Sequence, residues 1–477
     1  MIHELKPYPA CRDSGVEWLG EVPEHWEVLR ALAAYKPKLV KNTGMIETTV
    51  LSLSYGRIIV KPQEKLHGLV PESYETYQIV DPGDIVVRTT DLQNDHTSLR
   101  VGHSEHRGII TAAYMCLETK DQMTDGFGYL LLSAYELMKI IYGFGSGLRQ
   151  NIDFGHIKRM PVLVPPPGEQ SAIVHFLGHV DRRIRRYIRA KQKLIALLRE
   201  QRQVIIHRAV TRGLDPDVRL KPSGVDWLAD VPARWEVLAL KRVVSKLIDC
   251  EHKTAPAVED SDYRVVRTTA IRDGHLRLSG MYCTTAETFG DWTRRGLPEA
   301  GDVIFTREAP AGEACVVPRG LQLCLGQRTV LMKPHRDRYD ARFLVHMIYG
   351  GPPSHRIKLA SQGSTVGHFN MDDIASMTVL APPLGEQMAI VSYIEAATRS
   401  LDVVEQQASG EISLLREYRT RLISDVVTGK LDVREAAAHL PEETAEPEPL
   451  DETDTSPEDI SEETEAPDPD ALEEAEA

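Results

Sequence analysis

Val164-Pro-Pro-Pro-Gly-Glu-Gln-Ser-Ala-Ile-Val174 occurs a second time in this chain, as Ala381-Pro-Pro-Leu-Gly-Glu-Gln-Met-Ala-Ile-Val391. Each copy opens a stretch of about forty residues with helical periodicity. Pro and Gly ahead of Glu169 and Glu386 suit a helix start, where an acid complements the positive end of the helix dipole. The repetition continues outward from this stretch in both directions. Upstream, Ser14-Gly-Val-Glu-Trp-Leu-Gly-Glu-Val-Pro-Glu-His-Trp-Glu-Val-Leu29 returns as Ser223-Gly-Val-Asp-Trp-Leu-Ala-Asp-Val-Pro-Ala-Arg-Trp-Glu-Val-Leu238, identical at 11 of 16 positions. Downstream, Leu197-Leu-Arg-Glu200 matches Leu414-Leu-Arg-Glu417, and Ala209-Val-Thr-Arg-Gly-Leu-Asp215 matches Val426-Val-Thr-Gly-Lys-Leu-Asp432. The chain is a tandem duplication of a globular block followed by a long helix.

Between these anchors the two blocks diverge. Both keep a Gly-Asp ahead of a β-rich run, Gly83-Asp-Ile-Val-Val-Arg-Thr-Thr90 and Gly301-Asp-Val-Ile-Phe-Thr-Arg307. Thr48–Leu53, Ile109–Leu117 and Arg328–Met332 read as strands, and Tyr129–Tyr142 and Ala341–Tyr349 as helices. Each block is thus a mixed α/β domain. A kept scaffold with altered loops is the arrangement of two modules that recognise different things.

The helical stretches carry a seam. In the first, Leu177, Ile184, Lys191, Leu198 and Ile205 are seven apart, with Val180, Tyr187, Leu194 and Gln201 three residues after the first four. In the second, Ile394, Leu401, Ala408, Leu415 and Leu422 are the equivalents, with Ala397, Val404, Glu411 and Tyr418. Such spacing packs one long helix on another. Charge selects the partner: Glu169–Arg212 holds 11 basic and 3 acidic residues, Glu386–Asp425 holds 4 basic and 7 acidic. Opposite sign favours the two helices pairing with each other. Gly213 and Gly429 read as their stops, and Trp18, Trp26, Trp227 and Trp235 as core or domain–helix packing.

The expected fold is α+β: two mixed domains separated by two long antiparallel helices in a coiled coil, with a pseudo-two-fold internal repeat. The divisions fall at 1–165 and 215–382 for the domains, 166–214 and 383–433 for the helices, and 434–477 for a disordered acidic tail. From Pro441 onward there are 17 acidic residues and no Lys or Arg. Without those 17, the 70 acidic residues of the chain fall to 53 against 56 basic, so a net charge of −14 hides a mildly basic body. The tail suits solubility or competition with DNA for a basic surface. No apolar run approaches the roughly 18 residues a membrane span needs, and the N-terminus lacks the apolar core of a signal peptide. The six cysteines show no metal-like spacing and read as reduced thiols of a cytoplasmic protein.

Catalytic signatures are missing. The sequence has no Gly-x-x-x-x-Gly-Lys-Ser/Thr, and neither double proline follows the Asn or Asp of an amino-methyltransferase. Gly143-Phe-Gly-Ser-Gly147 lacks dinucleotide spacing, and His103-Ser-Glu-His106 lacks a third ligand. No catalytic residue, cofactor or metal is expected.

The layout resembles the DNA specificity subunits of type I restriction–modification enzymes. The resemblance rests on the duplicated Trp-Leu-x-x-Val-Pro-x-x-Trp-Glu-Val opening, the Pro-Pro-x-Gly-Glu-Gln lead-in to a long helix, and the helix end Leu422-Ile-Ser-Asp-Val-Val-Thr-Gly-Lys-Leu-Asp-Val433. It covers residues 14–433; the acidic tail is not part of the pattern. It implies a non-catalytic subunit that selects double-stranded DNA, each variable domain reading one half of a split target. The paired helices space the domains and dock the modification (methyltransferase) subunits, and the complex also takes restriction (translocase/nuclease) subunits. About forty residues of helix make a rod of roughly 60 Å, enough to hold two readers one or two turns of about 34 Å apart on a duplex. Two readings compete with this one: a helical adaptor that binds only proteins, and a self-sufficient nucleic-acid enzyme.

Candidate DNA contacts are Arg57, Arg88, Gln93, Asn94, His96, Arg149, Gln150 and Asn151 in the first domain. In the second they are Arg264, Arg267, Arg272, Arg307, Gln327, Arg328, Gln362 and His368. Arg suits guanine edges and phosphate, and Asn and Gln suit adenine.

Overall fold

A computed structural model describes residues 5–54, 56–62, 73–90, 99–144, 152–362 and 368–441, with the side chains of 360–362 excepted. The chain forms two compact units that do not follow the order of the repeats. Unit one holds Met1–Arg189 and Ile412–Ala477; unit two holds Ala190–Glu411. The long helices are Pro167–Arg212 and Leu384–Val427. Each unit is therefore a globular block with the first half of its own long helix and the last half of the other one.

Both blocks are built on the same four-stranded antiparallel sheet. In unit one the order is Tyr35–Lys38, Tyr114–Thr119, Ile85–Arg88, Val101–His103. In unit two it is Val244–Asp249, Thr329–Pro334, Val303–Arg307, Ala311–Val316. The third strand of each is the run that follows Gly-Asp, and it is buried on both faces: Ile85, Val86 and Val87 in one, Val303, Ile304 and Phe305 in the other. The Gly-Asp pair is the turn that launches it. Gly83 and Gly301 take φ of 94° and 87°, a region closed to most side chains. The next residue is a buried carboxylate with partners ready. Asp84 accepts from Asp81 N at 2.7 Å and Lys38 Nζ at 2.5 Å. Asp302 accepts from Glu299 N at 3.0 Å and lies 3.1 Å from Lys333 Nζ.

The additions to this sheet differ. Unit one carries the hairpin Leu51–Ser54/Arg57–Val60 and the pair Gln78–Val80/Gly108–Ile110. Unit two carries a three-stranded sheet with a parallel pair, Tyr263–Val266 beside Gln322–Leu325, and the hairpin Ile271–Arg272/His275–Leu276. The run expected as one strand, Ile109–Leu117, is two. The chain turns after Ile110, with Tyr114 N donating to Thr111 O at 3.2 Å and Ala113 N to Thr111 Oγ1 at 3.3 Å. A β-branched residue read as strand uses its hydroxyl to make a turn.

The repeated strings meet in space. Glu27–Arg30 pairs with Pro161–Val164, and Glu236–Ala239 with Thr378–Ala381. Each Trp-Glu-Val-Leu is thus hydrogen-bonded to the strand that leads into Pro-Pro. The Gln of the motif then locks the junction. Gln170 Oε1 accepts from Thr124 N at 2.8 Å, while its Nε2 donates to Gln122 O at 2.8 Å and Pro165 O at 2.9 Å. Gln387 Oε1 accepts from Asp340 N at 2.8 Å, and its Nε2 donates to Arg338 O and Pro382 O, both at 2.8 Å. Thr124 and Asp340 are the N-caps of the helices Asp125–Leu137 and Ala341–Gly350. One amide side chain therefore ties the long helix, the neck strand and the domain helix together.

Each neck also receives the end of the other long helix. Trp26 is fully buried, and Glu169 Oε1 accepts its indole N–H at 3.0 Å. Gly429, at φ 77°, packs against Pro23 and Trp26. In unit two Gly213, at φ 75°, lies 3.2 Å from Trp235 Cζ2 by its would-be Cβ. A Gly429→Ala change puts a methyl 2.3 Å from Pro23 Cδ, in a ring that cannot swing away. It is expected to cost about 2 kcal/mol or more, read as a lower urea midpoint of the full chain.

The helix halves pair antiparallel within each unit. Asp181 bonds Arg419 in unit one. In unit two Lys191 reaches Glu411 at 2.6 Å, Arg199 reaches Glu405 at 2.7 Å and Arg202 reaches Asp402 at 3.5 Å. The row of expected seam residues seven apart lies inward: Leu177, Ile184, Ile394, Ala408 and Leu422 are buried, and Leu198, Ile205, Leu401 and Leu415 half-buried. The companion row three residues on behaves differently. Val180 is buried and Ala397 half-buried, but Tyr187, Leu194, Val404 and Tyr418 are 54, 36, 40 and 36% exposed. Burial runs one residue further along, through Ile188, Ala209, Thr398, Ile412 and Val426. Asp181, Arg202, Glu405 and Arg419 share that row. Charged residues that pair across the interface hid it from an apolar count.

Past the second helix the chain forms a short helix, Arg434–Ala438, so the segment expected to be disordered from 434 begins ordered. Val433 and Ala437 are buried, Arg434 lies 5.2 Å from the Tyr8 ring centre, and Asp432 N donates to Lys6 O at 2.8 Å. Residues 442–477 lie outside the described residues.

A half-buried histidine is expected to make unit two acid-sensitive. Burial, then the charges of Arg202 and Arg342, pushes His346 down to about 4. The unfolded imidazole titrates near 6.5. The unfolded state therefore binds more protons between those values, and stability falls as pH drops from about 6.5 to 4. The loss is expected to reach about 3 kcal/mol. Urea midpoints at several pH values check this, and His346→Leu should flatten the slope.

Candidate nucleic-acid interface

In unit two the candidate residues gather around the tight connection Glu308–Pro310, between the sheet strands Val303–Arg307 and Ala311–Val316. Arg307 ends the first of these strands. Its Nη1 donates to Asp249 Oδ2 at 3.2 Å, and its Nη2 lies 3.4 Å from His252 Nδ1. Its N donates to Arg328 O at 3.0 Å, and its O accepts from Phe369 N at 3.0 Å, which places Arg328 and His368 beside it. Glu308 Oε2 lies 3.4 Å from both Arg328 Nε and His368 Nδ1. Thr268 Oγ1 donates to Ala309 O at 2.9 Å, bringing the exposed Arg267 to the same connection. Gly326 N bonds Val266 O at 2.9 Å, and the exposed Gln327 follows.

The structure thus assembles Arg267, Arg307, Gln327, Arg328 and His368, five residues drawn from four segments. They do not have one character. Arg307 is mostly covered and ion-paired to Asp249. Arg272 donates to Ile271 O at 3.0 Å and holds its own hairpin. Arg264 is half-buried within the strand Tyr263–Val266, away from the connection. Arg328, Gln327, Arg267 and His368 are exposed. Arg328 holds φ at 66°, a conformation that a non-glycine residue adopts at a cost of about 1–2 kcal/mol. Sequence reading missed His252 and the acids Asp249 and Glu308 that hold the cations in place. They follow strand ends, and only the sheet order shows that those ends adjoin.

In unit one Arg88 ends the equivalent strand, opposite Tyr114, with its N donating to Arg100 O at 2.8 Å. Arg57 opens the second strand of its hairpin; Gly56 beside it donates to Leu99 O at 3.1 Å. Ile152 N donates to Thr89 O at 3.0 Å, the counterpart of the Phe369–Arg307 bond. Gln93, Asn94, His96, Arg149, Gln150 and Asn151 lie outside the described residues, as does the side chain of Gln362. Trp26 and Trp235 are buried packing residues, whereas Trp227, expected to pack, is 47% exposed. Trp18 meets Tyr135 edge-on at 4.9 Å between ring centres, and Trp227 stacks on His355 at 4.7 Å. His103 Nε2 lies 3.3 Å from Asp125 Oδ2. Among the described residues no helix is long and apolar enough to cross a membrane.

No protein-family model matches the chain. A curated relative, the provisionally named type I restriction enzyme MjaX specificity subunit of Methanocaldococcus jannaschii, is 19% identical over 433 residues. The alignment covers 87% of this chain and 96% of the relative. The chain is similar over most of its length to a type I specificity subunit. A chain solved in work on complex assembly and conformational transition of the type I R-M system shares the fold, with a TM-score of 0.59 and 16% identity. It matches over 86% of this chain and 99% of its own length. The HsdS subunit from Thermoanaerobacter tengcongensis gives a TM-score of 0.42 and 14% identity, over 86% of this chain and 98% of that one. The aligned length with the curated relative, 87% of this chain, extends over both repeats.

Proposed function

We propose that this chain is the sequence-reading, non-catalytic subunit of a type I restriction–modification complex. Each unit reads one half of a bipartite, asymmetric duplex target. The two long helices, which carry the chain from one reader to the other, set the unread spacing and dock the modification (methyltransferase) subunits, and restriction subunits join the complex. It works in the cytoplasm and needs no cofactor of its own. The observation that carries this reading is the sheet built twice in the same strand order, with different hairpins and loops at the strand ends. A common frame with different loops is what two readers of different sequences need.

Co-expression with the partner subunits, followed by mapping of methylated adenines, tests it. A split target with two unlike halves is expected. Saturable binding of S-adenosylmethionine or ATP by the purified chain would sink the non-catalytic part. Arg328→Ala should weaken target binding by about 1–3 kcal/mol, with relaxed choice of base in one half only, measured by titration at fixed salt.

A further inference from the structure

In unit two the backbone around Gln327 and Arg328 is tied at three points. Gly326 N donates to Val266 O at 2.9 Å, and Thr329 Oγ1 donates to Gly326 O at 2.7 Å. Arg328 O accepts from Arg307 N at 3.0 Å. This frame holds Arg328 at its positive φ. The side chain meets one acid: Nε lies 3.4 Å from Glu308 Oε2, and Arg328 stays exposed while Glu308 is mostly covered. Glu308 also faces His368 Nδ1 at 3.4 Å.

The other repeat shows what this frame needs. Thr306 pairs with Thr329 as Arg88 pairs with Tyr114, so Glu308 corresponds to Thr90 and Arg328 to Ala113. The tie between the two segments survives in altered form: Thr89 Oγ1 donates to Ala113 O at 2.9 Å. Unit one thus builds the same sheet with neither member of the ion pair. A partly exposed ion pair adds little stability, and a positive φ at arginine subtracts from it. The pair therefore belongs to what unit two does, and not to how it folds.

Arginine has two uses on a duplex. It meets phosphate as a charge, or guanine as a fork that spans O6 and N7. Glu308 favours the second. Its negative charge repels a phosphate brought to Arg328, whereas the edge of a base carries no net charge. By engaging the Nε side, it leaves the two Nη groups for the paired guanine acceptors. We propose that Glu308 is a positioning residue that makes Arg328 a reader of guanine. The half of the target read by unit two then holds a guanine at the base that Arg328 meets. The inference rests on the reading that unit two recognises one half of the target.

The test uses the full chain in complex with its modification subunits, on the target found by methylation mapping. Each guanine of the target is replaced in turn by an analogue with carbon in place of N7, which removes one of the two acceptors. Binding is titrated at several salt concentrations for the wild type, Arg328→Ala and Glu308→Gln. In the wild type one guanine, in one half only, should carry an Arg328-dependent loss of about tenfold. Arg328→Ala should abolish that loss. Glu308→Gln should cut it to about twofold and raise affinity for duplexes without the target. Losses at guanines of the other half should be the same in all three proteins. If Glu308→Gln fails to fold, Glu308→Thr, which installs the residue found at this place in unit one, carries the same readout. A Glu308→Gln protein that keeps the full loss overturns the proposal, as does a wild type in which no loss depends on Arg328. An equal gain by Glu308→Gln on every sequence, the target included, with a salt slope changed by about 1, marks a phosphate contact and overturns it too. A complex that methylates no split target overturns the functional reading, and this inference with it.

Discussion

Exchange of residues 31–160 for the matching stretch of another specificity subunit is expected to change one half of the methylated target and leave the other half as it was. The structure sets these limits. They lie inside the neck formed by Glu27–Arg30 and Pro161–Val164, so the graft keeps both strands of the pair. It also keeps Trp26 and Glu169, and with them the seat of the second long helix at Gly429. The effect is a switch of specificity, because each wrong base in a recognised half typically costs about 1–3 kcal/mol. Adenine-methylation mapping of the reconstituted complex checks it. A change in both halves would mean that the two units do not read independently.

Gln170→Ala and Gln387→Ala should be the most damaging single substitutions away from the hydrophobic core. Each amide is fully buried. Its removal strands an N-cap N–H, Thr124 or Asp340, and two carbonyls, Gln122 and Pro165 or Arg338 and Pro382. Buried groups left without a partner cost about 1–3 kcal/mol apiece, so a loss of about 3–5 kcal/mol is expected. Urea unfolding followed by tryptophan fluorescence measures it. A cost below about 1 kcal/mol would mean that water replaces the amide, and the junction would not be the lock described above.

Pro-Pro-x-Gly-Glu-Gln was legible as a helix start because proline, glycine and an acid each act locally. Its Gln was not legible as a lock, since Thr124 and Asp340 lie more than forty residues upstream. The same limit shaped the candidate contacts. Arg307 reads as a DNA-facing cation, yet Asp249 and His252 take its guanidinium, and these reach it only because their strand ends adjoin. Arg328, Gln327 and His368 read no differently from Arg307 along the chain, but they are the ones left at the surface.

By itself the sequence determined the duplication, the mixed α/β blocks, the long helices and their opposite charge. Those follow from local propensity, side-chain period and composition, which need no knowledge of what lies across the core. Tertiary structure alone decided that each unit borrows the end of the other block's helix, and that the second row of the seam runs one residue beyond the expected one. It also decided which candidate cations stay exposed. These depend on pairings such as Asp181 with Arg419 and Trp26 with Gly429. Such pairings join residues hundreds of positions apart, and packing fixes them where periodicity cannot.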